Sequence, residues 1–302
     1  MPSFRAAPVR VRVPATSANL GPAFDCAGLA LTLYDDVVVR VADGGLVVDI
    51  AGEGERALPR DGRHLVVEAL RATFDELGGQ PRGLEVVCAN RIPQSRGLGS
   101  SSAAIVSGVM AARALVVGGE KLLDDDAALQ LASRLEGHPD NVAAALRGGL
   151  TLSWTDGGQV RVHRLAAHAL LAPVAFVPAT RSSTRKVRGL LPAVVSHGEA
   201  AANGARAALL PLALTRSPDL LLAATKDLLH QSYRSPAMPR TTALVEALRA
   251  DGLAAVVSGA GPTVLVLTTR DQVDAVVERA PRGWSALALG VEHQGASVVA
   301  LT

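Results

Sequence analysis

A glycine- and serine-rich loop that runs directly into an apolar helix constrains this chain more than any other feature. Residues 93–104 read Pro-Gln-Ser-Arg-Gly-Leu-Gly-Ser-Ser-Ser-Ala-Ala. Gly97 and Gly99 can adopt positive φ and leave room for a ligand beside the backbone. A helix that begins near Ser100 would direct unpaired N–H groups at an anion. The loop predicts a phosphate site, although a serine N-cap on an ordinary helix would show the same pattern.

Composition narrows the class of protein. The chain has 302 residues, of which 49% are hydrophobic, yet no apolar run approaches the length that crosses a bilayer. Cys26 and Cys88 are the two cysteines, so neither a disulfide framework nor a thiolate zinc site is expected. The net charge is +2 and the arginines are dispersed, which disfavours a nucleic-acid partner. We expect a soluble, cytoplasmic protein of two domains without a secretory signal.

Strand and helix patterns alternate along the whole chain. Strands are predicted at 9–13, 36–41, 46–50, 84–88, 149–154, 160–165, 171–177, 254–258, 264–267, 284–289 and 297–301. Helices are predicted at 65–77, 101–117, 124–135, 185–191, 199–214, 219–229, 241–250 and 272–279. Gly44-Gly45 indicates a hairpin turn. The last four strands and their helix suggest a compact βαβ-type terminal module, and the domain boundary is placed near residue 165.

An early segment combines turn residues with polar groups. Residues 14–25 read Pro-Ala-Thr-Ser-Ala-Asn-Leu-Gly-Pro-Ala-Phe-Asp and follow a predicted strand directly. The segment is predicted to expose Thr16, Ser17, Asn19 and Asp25 in a loop, where binding groups commonly sit on a rigid scaffold. A plain turn is the alternative.

A second polar segment, Glu136-Gly137-His138-Pro139-Asp140-Asn141, ends one predicted helix and begins the next. Pro139 suits the first helical position. The end of one helix and the start of the next explain the glycine and the proline, but they do not explain four polar side chains at one junction. The segment therefore indicates a site, with an incidental histidine beside a helix start as the alternative.

A third segment, Ser258-Gly259-Ala260-Gly261-Pro262-Thr263, lies between two apolar strands. A plain hairpin loop would account for it when it is considered alone.

Taken together, the four segments resemble the GHMP family of small-molecule kinases, and within it the homoserine kinases. The family motif P-x-x-x-G-L-G-S-S-x-A is met in full by residues 93–103, and the glycine-rich third motif by residues 258–263. The early segment is similar to P-A-T-S-A-N-L-G-P-G-F-D, and residues 138–141 match H-x-D-N. Ala23 replaces a glycine of the early pattern, so a positive φ there would require a rearranged backbone.

The resemblance implies an α+β protein with the two-domain GHMP kinase fold. Residues 1–165 would form a domain like the second domain of ribosomal protein S5, and residues 166–302 a ferredoxin-like domain, with ATP between them. His64 stands where relatives usually carry Asn near the adenine, which leaves the adenine contacts open. The implied cofactor-binding residues are Pro93, Arg96, Gly97, Leu98, Gly99, Ser100, Ser101, Ser102, Ala103, Gly259 and Gly261.

The phosphate loop is not a Walker A sequence, because no Lys-Ser/Thr follows its last glycine. Phosphate charge would then be balanced by backbone N–H groups, the helix end, Mg²⁺ and Arg96. Magnesium prefers oxygen ligands. Ser101 and Glu136 are the predicted ligands, with Ser100 as a substitute for Ser101.

The implied acceptor is L-homoserine, phosphorylated to O-phospho-L-homoserine in threonine biosynthesis. Asp25 would pair with its ammonium group, and Arg188 and Arg234 would hold its carboxylate, a task that suits guanidinium geometry. The remaining predicted contacts are Asn19, His138, Asn141 and Thr184. Arg188 and Asp140 are the catalytic candidates, with Asp140 as a base or with no base at all. Kinases of this family are often dimers, and the sequence itself does not determine the oligomeric state.

Overall fold

The computed structural model describes residues 2–301, except for the side chains of Thr184, Arg185 and Ala300. The strands are β1 (Val9–Ala18), β2 (Ala27–Ala42), β3 (Gly45–Gly52), β4 (Gly83–Asn90), β5 (Leu150–Asp156), β6 (Gln159–Leu165), β7 (Val174–Pro178), β8 (Ala254–Val257), β9 (Val264–Leu267), β10 (Trp284–Ala288) and β11 (Ser297–Ala300). The α-helices are α1 (Leu65–Glu76), α2 (Ser100–Leu115), α3 (Gly119–Leu122), α4 (Asp125–Glu136), α5 (Asp140–Arg147), α6 (Thr184–Arg188), α7 (His197–Thr215), α8 (Leu221–Ala224), α9 (Gln231–Arg234), α10 (Pro239–Ala250) and α11 (Val273–Val277).

The first sheet has the order β11-β1-β2-β4-β3, and the β5–β6 hairpin pairs with β2. Alternation in β1 explains its orientation, since Val9, Val11 and Val13 are buried while the arginines between them are half-buried. Helices α2 and α5 pack against β1 and β2, and α1 packs against α2. The larger hydrophobic core lies between this sheet and these helices.

The second sheet has the order β10-β7-β9-β8, and all its pairings are antiparallel. Counted along the chain, these strands have the spatial order 4-1-3-2, and helices connect the first strand to the second and the third to the fourth. This is the ferredoxin-like arrangement that the resemblance implied. Between residues 2 and 301, no helix is long and apolar enough to cross a membrane.

The early polar segment is less loop-like than predicted. Strand β1 continues to Ala18 through an irregularity after Pro14, so Thr16 and Ser17 are buried strand residues instead of exposed loop residues. The loop proper is residues 19–26. Ala23 does not need positive φ, which falls on Asn19, Leu20, Gly21 and Asp25 instead. The replacement of glycine at position 23 is therefore accommodated.

Long-range pairing overturns two further predictions. Gly44-Gly45 is not a hairpin turn, because β4 lies between β2 and β3; β3 pairs with β4 in parallel, with α1 as the crossover. Strand β11 does not belong to the terminal module, since it pairs with β1 in the first sheet. The domain boundary near residue 165 stays a prediction.

The predicted helix over 219–229 is interrupted. A 3₁₀ turn at Pro218–Leu220 leads into α8, which ends at Ala224. The Asp227 carboxylate then accepts hydrogen bonds from the backbone N–H groups of Leu229, His230 and Gln231. These bonds precede α9, and His230 at its start contacts the early loop at the Gly21 carbonyl.

Candidate active site

A cavity of about 400 Å³ lies where loops from the two sheets meet. Its lining includes residues from the glycine- and serine-rich loop, the α4–α5 junction, the β8–β9 loop and α9. Ala18 and Asn19 of the early segment also line it, so all four segments selected from the sequence contribute to one cavity.

The phosphate loop has the backbone that its glycines predict. Gly97 and Gly99 have φ of 80° and 70°, and α2 begins at Ser100 directly after Gly99. A Cβ on Gly97 would lie 2.2 Å from the Ser258 carbonyl oxygen, and one on Gly99 would lie 1.9 Å from Thr16 Oγ1. Both glycines are therefore required by close approach as well as by conformation. The N-terminal end of α2 opens on the cavity, since Ser100 and Ser101 line it.

The β8–β9 loop is fastened to the phosphate loop. Ser258 Oγ lies 2.5 Å from the Gly97 carbonyl oxygen and 2.8 Å from Ser17 Oγ. The Gly259 N–H donates to the Ala18 carbonyl, and the Thr263 N–H donates to the Arg96 carbonyl. The third segment is a hairpin loop, as the simpler interpretation had it, and it also holds the cavity wall.

Arg96 is engaged with backbone carbonyl groups. Its guanidinium donates to the carbonyl oxygens of Pro178 at 2.8 Å, Ala179 at 2.9 Å and Gln94 at 3.0 Å. Arg96 thus ties the phosphate loop to the end of β7. Its predicted contribution to phosphate charge balance would require these bonds to be exchanged.

Oxygen donors converge at the start of α2. Ser101 Oγ and Ser102 Oγ donate to Glu136 Oε1 at 2.5 and 3.0 Å. Burial raises the pKa of Glu136 above its ordinary value, although both hydroxyl bonds oppose this shift. One carboxylate and a hydroxyl fit Mg²⁺, which takes its other ligands from phosphates and water. Across the described residues, no group of three or more His, Cys, Asp or Glu side chains could hold a metal ion by itself.

The α4–α5 junction is a closed hydrogen-bond cluster. Asp140 is buried, and its Oδ1 lies 3.1 Å from His138 Nδ1 and accepts from the Asn141 N–H at 2.7 Å. Thr16 Oγ1 donates to Asn141 Oδ1 at 2.7 Å. The hydrogen bond to Asp140 raises the pKa of His138, which favours its protonated form. Pro139 is the N-cap, one position before its predicted place.

Charged groups from segments that are far apart in the sequence meet beside the cavity. Arg188 donates two hydrogen bonds to the two oxygens of Asp25, at 2.6 and 2.8 Å. Asn19 holds this loop in place, because its Oδ1 accepts from the Asp25 N–H and its Nδ2 donates to the Gly259 carbonyl. Strained φ values at Asn19 and Asp25 accompany this arrangement. Thr184 begins α6, but its side chain lies outside the described residues.

Arg234 is almost completely buried, with 1% of its surface exposed. One terminal nitrogen lies 3.2 Å from His230 Nδ1 and 3.3 Å from the Gly259 carbonyl oxygen. Its Nε has no hydrogen-bond partner among the described residues, although the side chain lines the cavity. Burial lowers the pKa of Arg234, so the charge is held at a cost that an anionic ligand would offset.

Phe24 and His230 are site residues that the sequence reasoning missed. The guanidinium carbons of Arg188 and Arg234 lie 5.3 and 5.1 Å from the Phe24 ring centroid, and the His230 ring stacks on Phe24 at 5.0 Å. An aromatic ring attracts cations on its face. Phe24 stands beside Asp25 in the selected segment, but its apolar side chain gave no sign of a role.

The far end of the cavity is more apolar. Val37, Leu58, Leu65 and Val66 line it together with His64. His64 is 3% exposed, and neither of its ring nitrogens has a hydrogen-bond partner among the described residues. Burial lowers the pKa of His64, which favours its neutral form. A neutral imidazole can offer one donor and one acceptor to a ligand.

A glycine-rich loop at a helix start, a cluster of hydroxyl and carboxylate oxygens, and a group of one carboxylate and two guanidinium side chains lie in or beside one cavity. This combination is of the kind that phosphoryl transfer uses. The GHMP kinases N terminal domain model matches residues 64–149, and the GHMP kinases C terminal model matches residues 207–286. The chain belongs to the GHMP kinase family. It is accordingly an ATP-dependent kinase with the two-domain GHMP kinase fold, as the resemblance predicted.

Named relatives lie close to the chain. It is 63% identical over 300 residues to the homoserine kinase of Streptomyces coelicolor, which covers 99% of this chain and 97% of that protein. Identity to the homoserine kinase of Clavibacter michiganensis is 51%, over 96% of this chain and 93% of the relative. The crystal structure of homoserine kinase from Cytophaga hutchinsonii has a TM-score of 0.84 and 25% identity, and it covers 99% of both chains.

Proposed function

We propose that this kinase transfers the γ-phosphoryl group of ATP to the side-chain hydroxyl of L-homoserine, giving O-phospho-L-homoserine in threonine biosynthesis. The arrangement of Asp25, Arg188 and Arg234 around Phe24 carries the proposal, because it offers one carboxylate and two guanidinium groups to a zwitterion. Relatives that are named homoserine kinases support it over nearly the whole chain.

The nucleotide would lie along the cavity from the start of α2 to the apolar end. Backbone N–H groups from Gly97 to Ser101 and the dipole of α2 suit the phosphates. The base would then enter the pocket of Val37, Leu65 and His64, where the neutral imidazole is the polar group without a partner. In this placement the His64 ring, which can both donate and accept a hydrogen bond, stands where relatives usually have Asn.

Ser101 and Glu136 would hold Mg²⁺, together with phosphate oxygens. When bound, Mg²⁺ balances the negative charge that the transferring phosphoryl group spreads over its oxygens. The chain's own contribution is to aim Ser101 Oγ and Glu136 Oε1 at one point beside the helix end.

The acceptor would be held by its two charges. Asp25 would take the ammonium group, and Arg188 would turn one face of its fork to the carboxylate. Arg234 would donate from its unpartnered Nε. Asn19 positions Asp25 for this exchange, and His138 and Asn141 line the cavity between the acceptor and the phosphates. Catalytic participation of Arg188 and contact by Thr184 stay predictions.

Asp140 suits the organisation of the junction better than proton abstraction. Its Oδ1 already contacts the Asn141 N–H and His138 Nδ1. We infer that the hydroxyl proton passes to the transferring phosphoryl group without a carboxylate base. Asp140→Asn keeps Oδ1 and should therefore lower kcat by less than about 100-fold. A thousandfold loss of kcat with unchanged binding of both substrates would instead establish Asp140 as a base.

The deciding experiment is a coupled assay of ADP release with Mg²⁺-ATP. L-homoserine, L-serine, L-threonine and mevalonate are offered separately to the purified protein. Turnover with L-homoserine well above the other acceptors is expected. Clear turnover on another acceptor without turnover on L-homoserine would refute the acceptor assignment and leave the phosphate site intact.

A homodimer and a cytoplasmic location remain predictions of the same kind. Light scattering after size exclusion distinguishes a monomer of 31.0 kDa from a dimer. Fractionation of the source cells tests the location.

A further inference from the structure

His230 has no part in the chemistry described so far, yet it is fully buried beside the acceptor pocket. It precedes α9 and stands four residues before Arg234, one helical turn away. Its ring joins the early loop to α9, because it contacts the Gly21 carbonyl, stacks on Phe24 and meets the guanidinium of Arg234.

The two ring nitrogens have different and complementary neighbours. Nε2 lies 2.8 Å from the Gly21 carbonyl oxygen, which can only accept, so Nε2 must carry a proton. Nδ1 lies 3.2 Å from a terminal nitrogen of Arg234, which can only donate, so Nδ1 must offer its lone pair. Both contacts require the same neutral tautomer.

We propose that His230 is a positioning residue for the acceptor, which orients Arg234 through its neutral Nδ1 and makes acceptor binding sensitive to acid. The proposal rests on the proposed function, in which Arg234 binds the carboxylate of the acceptor. Proton loss or gain at one imidazole would then change how well the guanidinium is aimed.

The charged groups around His230 explain the direction of the acid effect. Arg234 faces Nδ1, Asp227 lies 3.5 Å from Nε2, and Asp25 is also near. Burial is the largest influence and lowers the pKa of His230, with the Arg234 charge acting in the same direction. Asp227 and Asp25 oppose it. A protonated ring would lose its Nδ1 lone pair and place two cations face to face.

The lowered pKa of His230 determines how folding stability changes with pH. The unfolded imidazole has a pKa of about 6.5, so the neutral contact is fully favourable above that pH. It is lost as pH falls towards the folded pKa, because the unfolded chain binds the proton more readily. Acid should therefore weaken both the fold around α9 and acceptor binding.

Two isosteric variants separate the two ring contacts. Asn places its Oδ1 where the ring has Nδ1, and Gln places its Nε2 where the ring has Nε2. His230→Asn keeps an acceptor for Arg234, and His230→Gln keeps a donor for Gly21. We expect His230→Gln to raise KM for L-homoserine about tenfold, which corresponds to one hydrogen bond, and His230→Asn to raise it less than about threefold. KM for ATP should stay within about twofold in both.

His163→Gln on exposed β6 is the matched control and should match the unchanged protein. Equal rises of KM in His230→Gln and His230→Asn would overturn the proposal. If His230→Gln lowers the melting temperature too far for kinetics, the acid limb of kcat/KM decides instead. It should move to lower pH in His230→Asn, which cannot titrate, and an unmoved limb would refute the role.

Ring ¹⁵N–¹H NMR of the unchanged protein provides a test without any acceptor. A neutral imidazole protonated at Nε2 at pH 7 is expected, and an Nδ1–H tautomer or a charged ring would overturn the proposal. If the protein uses another acceptor, the proposed function fails separately, and the two KM comparisons are repeated with that acceptor.

Discussion

Gly97→Ala isolates how strongly the phosphate loop depends on its contact with the second domain. Gly97 has φ of 80°, and a Cβ there would meet the Ser258 carbonyl oxygen at 2.2 Å and the Gly261 nitrogen at 3.0 Å. Those atoms are backbone, so they cannot rotate away as a side chain would. Gly118→Ala is the matched control, since Gly118 has φ of 77° and nothing within 4 Å of its added Cβ.

Both variants lose stability because of the left-handed backbone, and only Gly97→Ala also loses stability through a steric clash. The left-handed backbone costs about 1–2 kcal/mol for any residue with a Cβ. Overpacking against the Ser258 carbonyl adds about 1–3 kcal/mol to Gly97→Ala alone. At about 2 °C per kcal/mol for a chain of this size, we expect the melting temperature to fall by roughly 2–4 °C in Gly118→Ala and roughly 4–10 °C in Gly97→Ala.

Nucleotide binding should separate the variants further. Relief of the collision requires the phosphate loop to move away from the β8–β9 loop, and 1.4 kcal/mol of lost alignment corresponds to about tenfold in Kd. Calorimetry with Mg²⁺-ATP should therefore show at least tenfold weaker binding for Gly97→Ala and unchanged binding for Gly118→Ala. Equal falls in melting temperature together with equal Kd values would refute the reasoning.

Three further predictions concern charge. Glu136→Ala should raise the Mg²⁺ concentration for half-maximal rate at least tenfold, because it removes the only carboxylate proposed as a ligand; an unchanged requirement would remove Glu136 from the metal site. Arg234→Lys keeps the charge but loses the fork, so KM for L-homoserine should rise roughly 10–100-fold while KM for ATP stays within about twofold; equal losses would count against the assignment. Burial raises the pKa of Asp35 from 3.8 to about 6, so stability from its protonated form is present below pH 3.8 and lost as pH rises through about 6. Denaturant unfolding should show Asp35→Asn gaining on the unchanged protein by about 2 kcal/mol between pH 4 and pH 8; a difference independent of pH would contradict this.

Local patterns in the sequence were sufficient to predict the conformation of the phosphate loop and the helix that follows it. Gly97 and Gly99 needed positive φ, and the residues after them formed a helix, because both features depend on neighbours within a few positions. The resemblance supplied the partners from the other segments, and its ferredoxin-like domain is confirmed by the order of the second sheet. Ser101 Oγ donates to Glu136 Oε1, and their role as metal ligands stays a prediction.

Pairing between strands that are far apart in the sequence could not be predicted from local patterns. The Gly44-Gly45 turn had the composition of a hairpin, yet the parallel pairing of β3 with β4 through α1 decided the sheet order. The pairing of β11 with β1 joins residues almost three hundred positions apart. Phe24 and His230 were missed for a related reason, since their roles come from contacts between the early loop and the start of α9, which the sequence keeps about two hundred residues apart.

The free site already pairs Asp25 with Arg188, and in the proposed function this pair influences which acceptors are favoured. Arg188 is bound to Asp25 through both oxygens, so an acceptor must replace that interaction on both sides to bind without loss. A zwitterionic amino acid supplies an ammonium to Asp25 and a carboxylate to Arg188 at once. Mevalonate would compete with Asp25 for Arg188 and leave the aspartate uncompensated, and an amine without a carboxylate would leave the guanidinium uncompensated. If Asp25 and Arg188 bind the acceptor as proposed, specificity for an amino acid would arise from the pair itself, before any contact with the hydroxyl that is phosphorylated.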